Sequence, residues 1–186
     1  QLKCLISLNK LMTCSLVLFL NLNLNCISSI YANNPRYSSA GIVISNILYV
    51  VDGDTIHIKD KDEWKKIRLQ GIDAPEKDQA FGKESMRVLA NCLYKAKKIR
   101  IEWTEKDKYG RLLGKVLVDE TDCNLSQIKQ GYAWHYKFYQ KDQTDLDRQL
   151  YSNAEIESRK SKIGLWKEKC PTPPWDWRRN NILKCS

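Results

Sequence analysis

From Gly41 to Val118 the chain alternates short β-patterned runs with turn signals, and this pattern limits its fold more than any other feature. Gly41 to Val51 is rich in Ile and Val, and Asp52-Gly53-Asp54 then reads as a tight turn. Thr55-Ile56-His57-Ile58 alternates, a charged turn covers Lys59–Glu63, and Trp64 to Ile72 is a third run. Three runs joined by such short turns predict an antiparallel meander. Asp73-Ala74-Pro75-Glu76 ends the third run, and the apolar spacing from Gln79 to Tyr94 predicts a helix. Two further runs, Lys98–Thr104 and Arg111–Val118, flank a polar hairpin loop from Lys106 to Gly110. A short helix follows, from Asn124 as N-cap to Gln130, closed by Gly131. A longer one starts at Thr144, with Asp147 as capping-box partner, and ends at Gly164. Five β runs with helices inserted late predict a mainly β chain with helices (α+β). The expected architecture is a five-stranded barrel of OB type rather than an alternating parallel sheet.

The ends of the chain are made of different material. Lys+Arg number 31 against 22 Asp+Glu, a net charge of +9, which favours a polyanionic partner. Residues 1–32 contain no acidic residue and two lysines, Lys3 and Lys10, ahead of the apolar run Ser15-Leu16-Val17-Leu18-Phe19-Leu20. Asn21, Asn23 and Asn25 interrupt that run, so it falls short of the ~20 apolar residues of a membrane span. Basic head, short apolar run and small residues up to Ala32 predict a signal peptide, and hence export to a periplasmic or extracellular space. The competing readings are a buried N-terminal helix and a lipid anchor at Cys26, where bulky Asn25 fits poorly. Residues 33–40 read as a linker, 41–168 as the domain and 169–186 as a Pro/Trp/Cys-containing tail. Without the leader the balance is 29 basic against 22 acidic groups, and Cys92, Cys123, Cys170 and Cys185 remain. In an oxidising compartment these four form two disulfides in any of three connectivities. The chain has no Cys-x-x-Cys pair and only two histidines, His57 and His135, which is not the pattern of a zinc site.

Candidate chemistry lies in the β-rich half. Asp52 and Asp54 flank Gly53 in a turn, and Asp73 and Glu76 flank Pro75 where a strand ends. Converging carboxylates of this kind make an oxygen-only site suited to Ca²⁺, although each Asp alone is also a good turn residue. Arg68 interrupts an otherwise apolar strand, and Arg111 follows Lys108-Tyr109-Gly110. An isolated Arg is an ordinary surface charge. Two Arg forks with a Glu and metal-binding Asp are the parts for phosphodiester hydrolysis, in which cations offset charge at phosphorus and the Glu handles the water's proton.

The chain resembles the staphylococcal-nuclease-like (thermonuclease) family. The matching segments are Val51-Asp52-Gly53-Asp54-Thr55, Arg68-Leu69-Gln70-Gly71-Ile72-Asp73-Ala74-Pro75-Glu76, Asp107-Lys108-Tyr109-Gly110-Arg111, Gly131-Tyr132-Ala133-Trp134 and Gly164-Leu165-Trp166. The resemblance implies an OB-fold barrel and Ca²⁺-dependent cleavage of DNA and RNA that leaves 3′-phosphates. By motif position it implies Asp54, Asp73 and the Ala74 carbonyl as Ca²⁺ ligands, with Asp52 behind them. Glu76 takes the place of the general base, Arg68 and Arg111 of the catalytic phosphate clamps, and Lys108 and Tyr109 of the contacts to a terminal phosphate. The stretch from Lys77 to Ser85 is shorter and less lysine-rich than the family's substrate loop. Tyr136, Phe138 and Tyr139 are either base platforms or core and surface aromatics, with Phe138 on the second reading. Trp175 and Trp177 with Arg178 and Arg179 either stack on single-stranded bases or pack the tail on the barrel, helped by a Cys170–Cys185 bridge; packing is the expectation. His57 and His135 are expected to be structural or surface residues. The rival functions are a non-catalytic nucleic-acid-binding OB module, which would have lost Arg68, Glu76 or Arg111, and a basic protein of the envelope surface. The expected protein is a monomer acting on DNA and RNA.

Overall fold

A computed structural model describes residues 41–45, 48–94 and 99–182. The leader at 1–32, Cys26, the linker at 33–40 and Cys185 lie outside the described residues. The strands are β1 (Gly41–Ser45), β2 (Leu48–Val50), β3 (Thr55–Asp60), β4 (Glu63–Leu69), β5 (Ile72–Asp73), β6 (Ile99–Lys106), β7 (Leu112–Val118), β8 (Thr121–Asp122) and β9 (Trp134–His135). The helices are α1 (Gly82–Leu93), α2 (Cys123–Lys129), α3 (Asp145–Lys160) and α4 (Pro174–Trp177), with 3₁₀ turns at Lys137–Asp142 and Gly164–Lys167. No helix among the described residues is long and apolar enough to cross a membrane.

The expected meander exists as β2-β3-β4, antiparallel throughout. The first run, however, is divided: its first half, β1, pairs β6, while its second half, β2, pairs β3. One bent segment thereby serves two neighbours. The main sheet runs β1-β6-β7-β4-β3-β2, with β8 on β7. It curls until Ser45, at the end of β1, donates its hydroxyl to the Lys59 carbonyl on β3 at 2.7 Å. The result is an OB-like α+β fold. β4 and β7 pair in parallel, Ile67 opposite Leu112 and Leu69 opposite Gly114.

Alternation decides which residues fill the interior. Ile56 and Ile58 on β3 and Ile67 and Leu69 on β4 are buried, as are Ile101 on β6 and Val116 on β7. Each such side chain contributes about 1.5–3 kcal/mol by leaving water. Leu89 and Leu93 of α1 and Ile128 of α2 join the same core. A second cluster holds Trp134, Leu165 and Trp166, with Phe81 and Trp175 packed against it. The Gly131 and Gly164 segments meet there, Leu165 N donating to the Gly131 carbonyl at 2.8 Å.

Helix ends depart from expectation: α1 starts at Gly82 rather than Gln79, α3 ends at Lys160 rather than Gly164, and the cap of α2 differs. Asp122, not Asn124, caps α2, accepting from Leu125 N at 2.9 Å. The buried Asn124 side chain instead accepts from Val116 N and donates to the carbonyls of Gln70 and Gly114. A buried amide satisfies scattered backbone groups that no regular ladder reaches. Thr144 does cap α3, accepting from Asp147 N at 2.9 Å, while the Asp147 carboxylate meets Lys115 at 2.7 Å. The tail is not wholly irregular: Pro174, well placed for the first turn, starts α4.

Cys92 on α1 and Cys123 on α2 form a disulfide across 31 residues of chain. Cys170 is also disulfide-bonded. Closing a loop of that length stabilises by about 3–4 kcal/mol in the chain-entropy model. Replacing Cys92 and Cys123 together by Ala is therefore expected to lower unfolding stability by ~2–4 kcal/mol. Urea titrations of the two proteins measure the difference.

Candidate active site

The turn between β2 and β3 carries the first two carboxylates. Asp52 Oδ1 accepts from Asp54 N at 3.0 Å, which shapes the turn. Gln127 of α2 holds it from behind, donating Nε2 to the Gly53 carbonyl at 2.6 Å and to Ser85 O at 3.0 Å. Gly53 is required by close approach, since a Cβ there would lie 1.9 Å from Ser85 Oγ and 2.7 Å from Ala74 Cβ.

Asp54 is thereby aimed at β5. Its Oδ2 accepts from Ala74 N at 2.7 Å and lies 3.1 Å from Arg68 Nη1. Asp73, fully buried on β5, meets Arg68 Nη2 through Oδ1 at 2.8 Å. Arg68 also donates to the carbonyl of Leu69 at 3.1 Å. One guanidinium thus joins the two carboxylates that the resemblance implies as metal ligands. Burial works against the Arg68 charge, but Asp54 and Asp73 outweigh it and raise its pKa. Burial pushes the Asp54 carboxyl up to about 8; Asp52 and Asp73 add to this, and Arg68 and the Ala74 amide oppose it.

Glu76 lies beyond Pro75, half-buried, with its backbone N donating to Gln79 Oε1 at 3.1 Å. Its Oε1 accepts from Arg178 Nη1 at 2.8 Å. Arg178 Nη2 also meets Asp73 Oδ2 at 2.7 Å, and Nη1 lies 3.3 Å from Asp73 Oδ1. Arg111 comes from the β6–β7 hairpin. Asp107 closes that loop, accepting from Tyr109 N and Arg111 N, and pairs with the Arg111 guanidinium at 2.7 Å. Slight burial opposes the Asp107 charge, yet these amides and the guanidinium hold its carboxyl below the usual range. Tyr109 is exposed, with Lys108 and Arg111 both over its ring, at 5.0 and 5.5 Å.

All the residues singled out from the sequence border one cleft of about 690 Å³: Asp52, Asp54, Arg68, Asp73, Ala74, Glu76, Lys108, Tyr109 and Arg111. Tyr136 and Tyr139 also line it, whereas Phe138 is exposed. His135 is structural: it is buried, with Nε2 2.8 Å from Gln143 Oε1, and burial lowers its pKa. The sequence assigns no role to Gln79, Asp107 or Gln127, and it places Arg178 in the tail without its partners Asp73 and Glu76. Asp107 stands four residues before Arg111 in the Asp107–Arg111 motif, and that spacing is the signal of their pairing. Arg178 lies 105 residues from Asp73 and carries no local signal.

A family model described as staphylococcal nuclease homologue matches residues 66–168. The chain belongs to the staphylococcal nuclease family. The match includes Arg68, Asp73, Glu76 and Arg111, and leaves Asp52, Asp54 and Arg178 outside it. An uncharacterized endonuclease of Haemophilus influenzae is 38% identical over 138 residues, 74% of each chain. One of Escherichia coli O157:H7 is 36% identical over 133 residues, covering 71% of this chain and 82% of its own. A micrococcal nuclease of Shigella flexneri is 34% identical over 142 residues, 72% of this chain and 79% of its own.

The raised Asp54 value has a consequence for stability. In the metal-free protein Asp54 keeps a proton up to about pH 8, whereas an unfolded aspartate releases it near 3.8. The group therefore favours the fold at low pH, and that contribution is lost as pH rises through this window. Asp54→Asn in chelator is expected to stabilise the fold relative to wild type, by roughly 1–3 kcal/mol more at pH 8 than at pH 5. Thermal melts across that range measure it, and a pH-independent difference contradicts the assignment.

Proposed function

We propose that this chain is an exported, Ca²⁺-dependent, sugar-nonspecific endonuclease that hydrolyses DNA and RNA and leaves 3′-phosphates. The observation that carries the reading is the convergence of Asp54, Asp73, Arg68, Glu76 and Arg111 on one cleft. The nuclease names of its relatives agree with it. A non-catalytic OB module has no need of Glu76 beside two arginines.

The donor chemistry fits a hard cation. The cleft is lined by carboxylates and contains no His or Cys. Asp54 and Asp73 are buried, and the burial that raises the Asp54 pKa is relieved by a cation. Among the described residues no group of three or more His, Cys, Asp and Glu is placed to hold a metal. Asp54 and Asp73 would hold Ca²⁺ together with the Ala74 carbonyl and water. When bound, Ca²⁺ supplies positive charge that offsets the negative charge of the phosphoryl oxygens.

The protein's own groups supply the rest. Glu76, anchored through its backbone to Gln79, takes a proton from the attacking water. Arg111, oriented by Asp107, presents donors to the phosphate, and Arg68 keeps the two aspartates in place beneath it. Lys108 and Tyr109 form an exposed edge for a neighbouring phosphate and sugar. The disulfides agree with export, since such bonds persist in oxidising compartments.

Glu76→Ala and Arg111→Ala are each expected to lower the rate of digestion of denatured DNA by roughly 10²–10³. Excess chelator is expected to stop digestion by the wild-type protein. Digests of single-stranded DNA, duplex DNA and RNA, followed by end-group analysis, test the whole reading. Full activity in a folded Glu76→Ala variant sinks it, and 5′-phosphate ends contradict the expected bond.

A further inference from the structure

We propose that Arg178 is a further substrate-binding residue, a guanidinium supplied by the C-terminal segment to hold a phosphate of the strand beside Glu76. The proposal rests on the nucleic-acid reading of the cleft. The segment is built into the site at several points. Trp175 stacks on Tyr136 at 5.5 Å and meets the edge of Trp134 at 6.3 Å. Gln79, whose Oε1 holds Glu76 N, donates Nε2 to the Thr172 carbonyl at 2.6 Å. The tail and the Glu76 loop are thus tied through one side chain. Arg178 N closes α4 on the Pro174 carbonyl at 3.0 Å, so the guanidinium extends from a braced turn.

Its donors and exposure match the role. A guanidinium has five N–H groups. Arg178 directs Nη1 to Glu76 and Asp73 and Nη2 to Asp73. Nε and one Nη2 hydrogen have no protein acceptor among the described residues. Its side chain is 44% exposed, against 14% for Arg68 and 29% for Arg111. Arg68 is spent on Asp54 and Asp73 deep in the floor, so Arg178 is the accessible guanidinium beside Glu76. Charge points the same way. Asp52, Asp54, Asp73 and Glu76 all border this cleft, where Arg68 is paired with Asp54 and Asp73 and Arg111 with Asp107. Arg178 adds a cation in direct contact with Glu76 and Asp73, with the exposed Arg179 next to it.

The test is binding of a fluorescent single-stranded oligonucleotide with cleavage-resistant phosphorothioate linkages to the full chain over a series of salt concentrations. Arg178→Ala is expected to weaken binding at least tenfold. It is also expected to flatten the log–log salt dependence by about 0.7, the share of one phosphate contact on a single strand. Arg178→Lys is expected to restore the salt slope and part of the affinity, because it keeps the charge but not the fork. Circular dichroism establishes that each variant is folded. A folded Arg178→Ala protein with wild-type affinity and salt slope overturns the proposal. Tighter binding or faster digestion by that variant also overturns it, and identifies the contact with Glu76 and Asp73 as a plug. If the wild-type chain binds no oligonucleotide, the nucleic-acid reading itself fails, a result distinct from either of these.

Discussion

The parallel pairing of β4 with β7 is the constraint from which the site follows. It sets Arg68 opposite Leu113, so that Arg68 and the hairpin that delivers Arg111 reach the same end of the sheet. Parallel neighbours cannot be joined by a tight turn, and the chain between these two holds β5, α1 and β6. The end of this pairing is secured by the buried Asn124, which bonds the carbonyls of Gln70 and Gly114 and the amide of Val116. Leu69 N on the Asp54 carbonyl then joins the Asp54 turn to the same place.

A buried charge cluster sits on that frame. Removing the Arg68 guanidinium from such a cluster costs about 3–5 kcal/mol, because the buried carboxylate left behind has lost its water and gained nothing. Arg68 therefore has a structural duty toward Asp54 and Asp73, beside the chemical one proposed for it. The helices behind the turn share the work. Gln127 holds both the Gly53 and Ser85 carbonyls, and the Cys92–Cys123 disulfide joins the two helices that carry Gln127 and Ser85.

Much of the site was legible because its parts are local. Asp52-Gly53-Asp54 is a turn whichever fold surrounds it, and the hairpin loop at Asp107–Gly110 follows from its polar residues and Gly110. The core faces of β3 and β4 follow from alternation at Ile56, Ile58, Ile67 and Leu69. The errors arose where two local solutions competed. Asp122 and Asn124 are both good caps, and only burial of Asn124 beneath the β4–β7 junction decides between them. The run from Gly41 to Val51 is a strand on any pattern argument, but its division between β6 and β3 depends on how far the sheet curls.

The sequence by itself determined the family, the OB-like class and the carboxylates and arginines that its motifs carry onto the cleft, because short motifs hold those residues in order and spacing. The tertiary structure alone decided which charges neutralise which. Arg68 went to the floor, Arg111 to Asp107, and Arg178 crossed from the far end of the chain to Asp73 and Glu76. Coulomb attraction depends on distance through space, and separation along the chain does not report it.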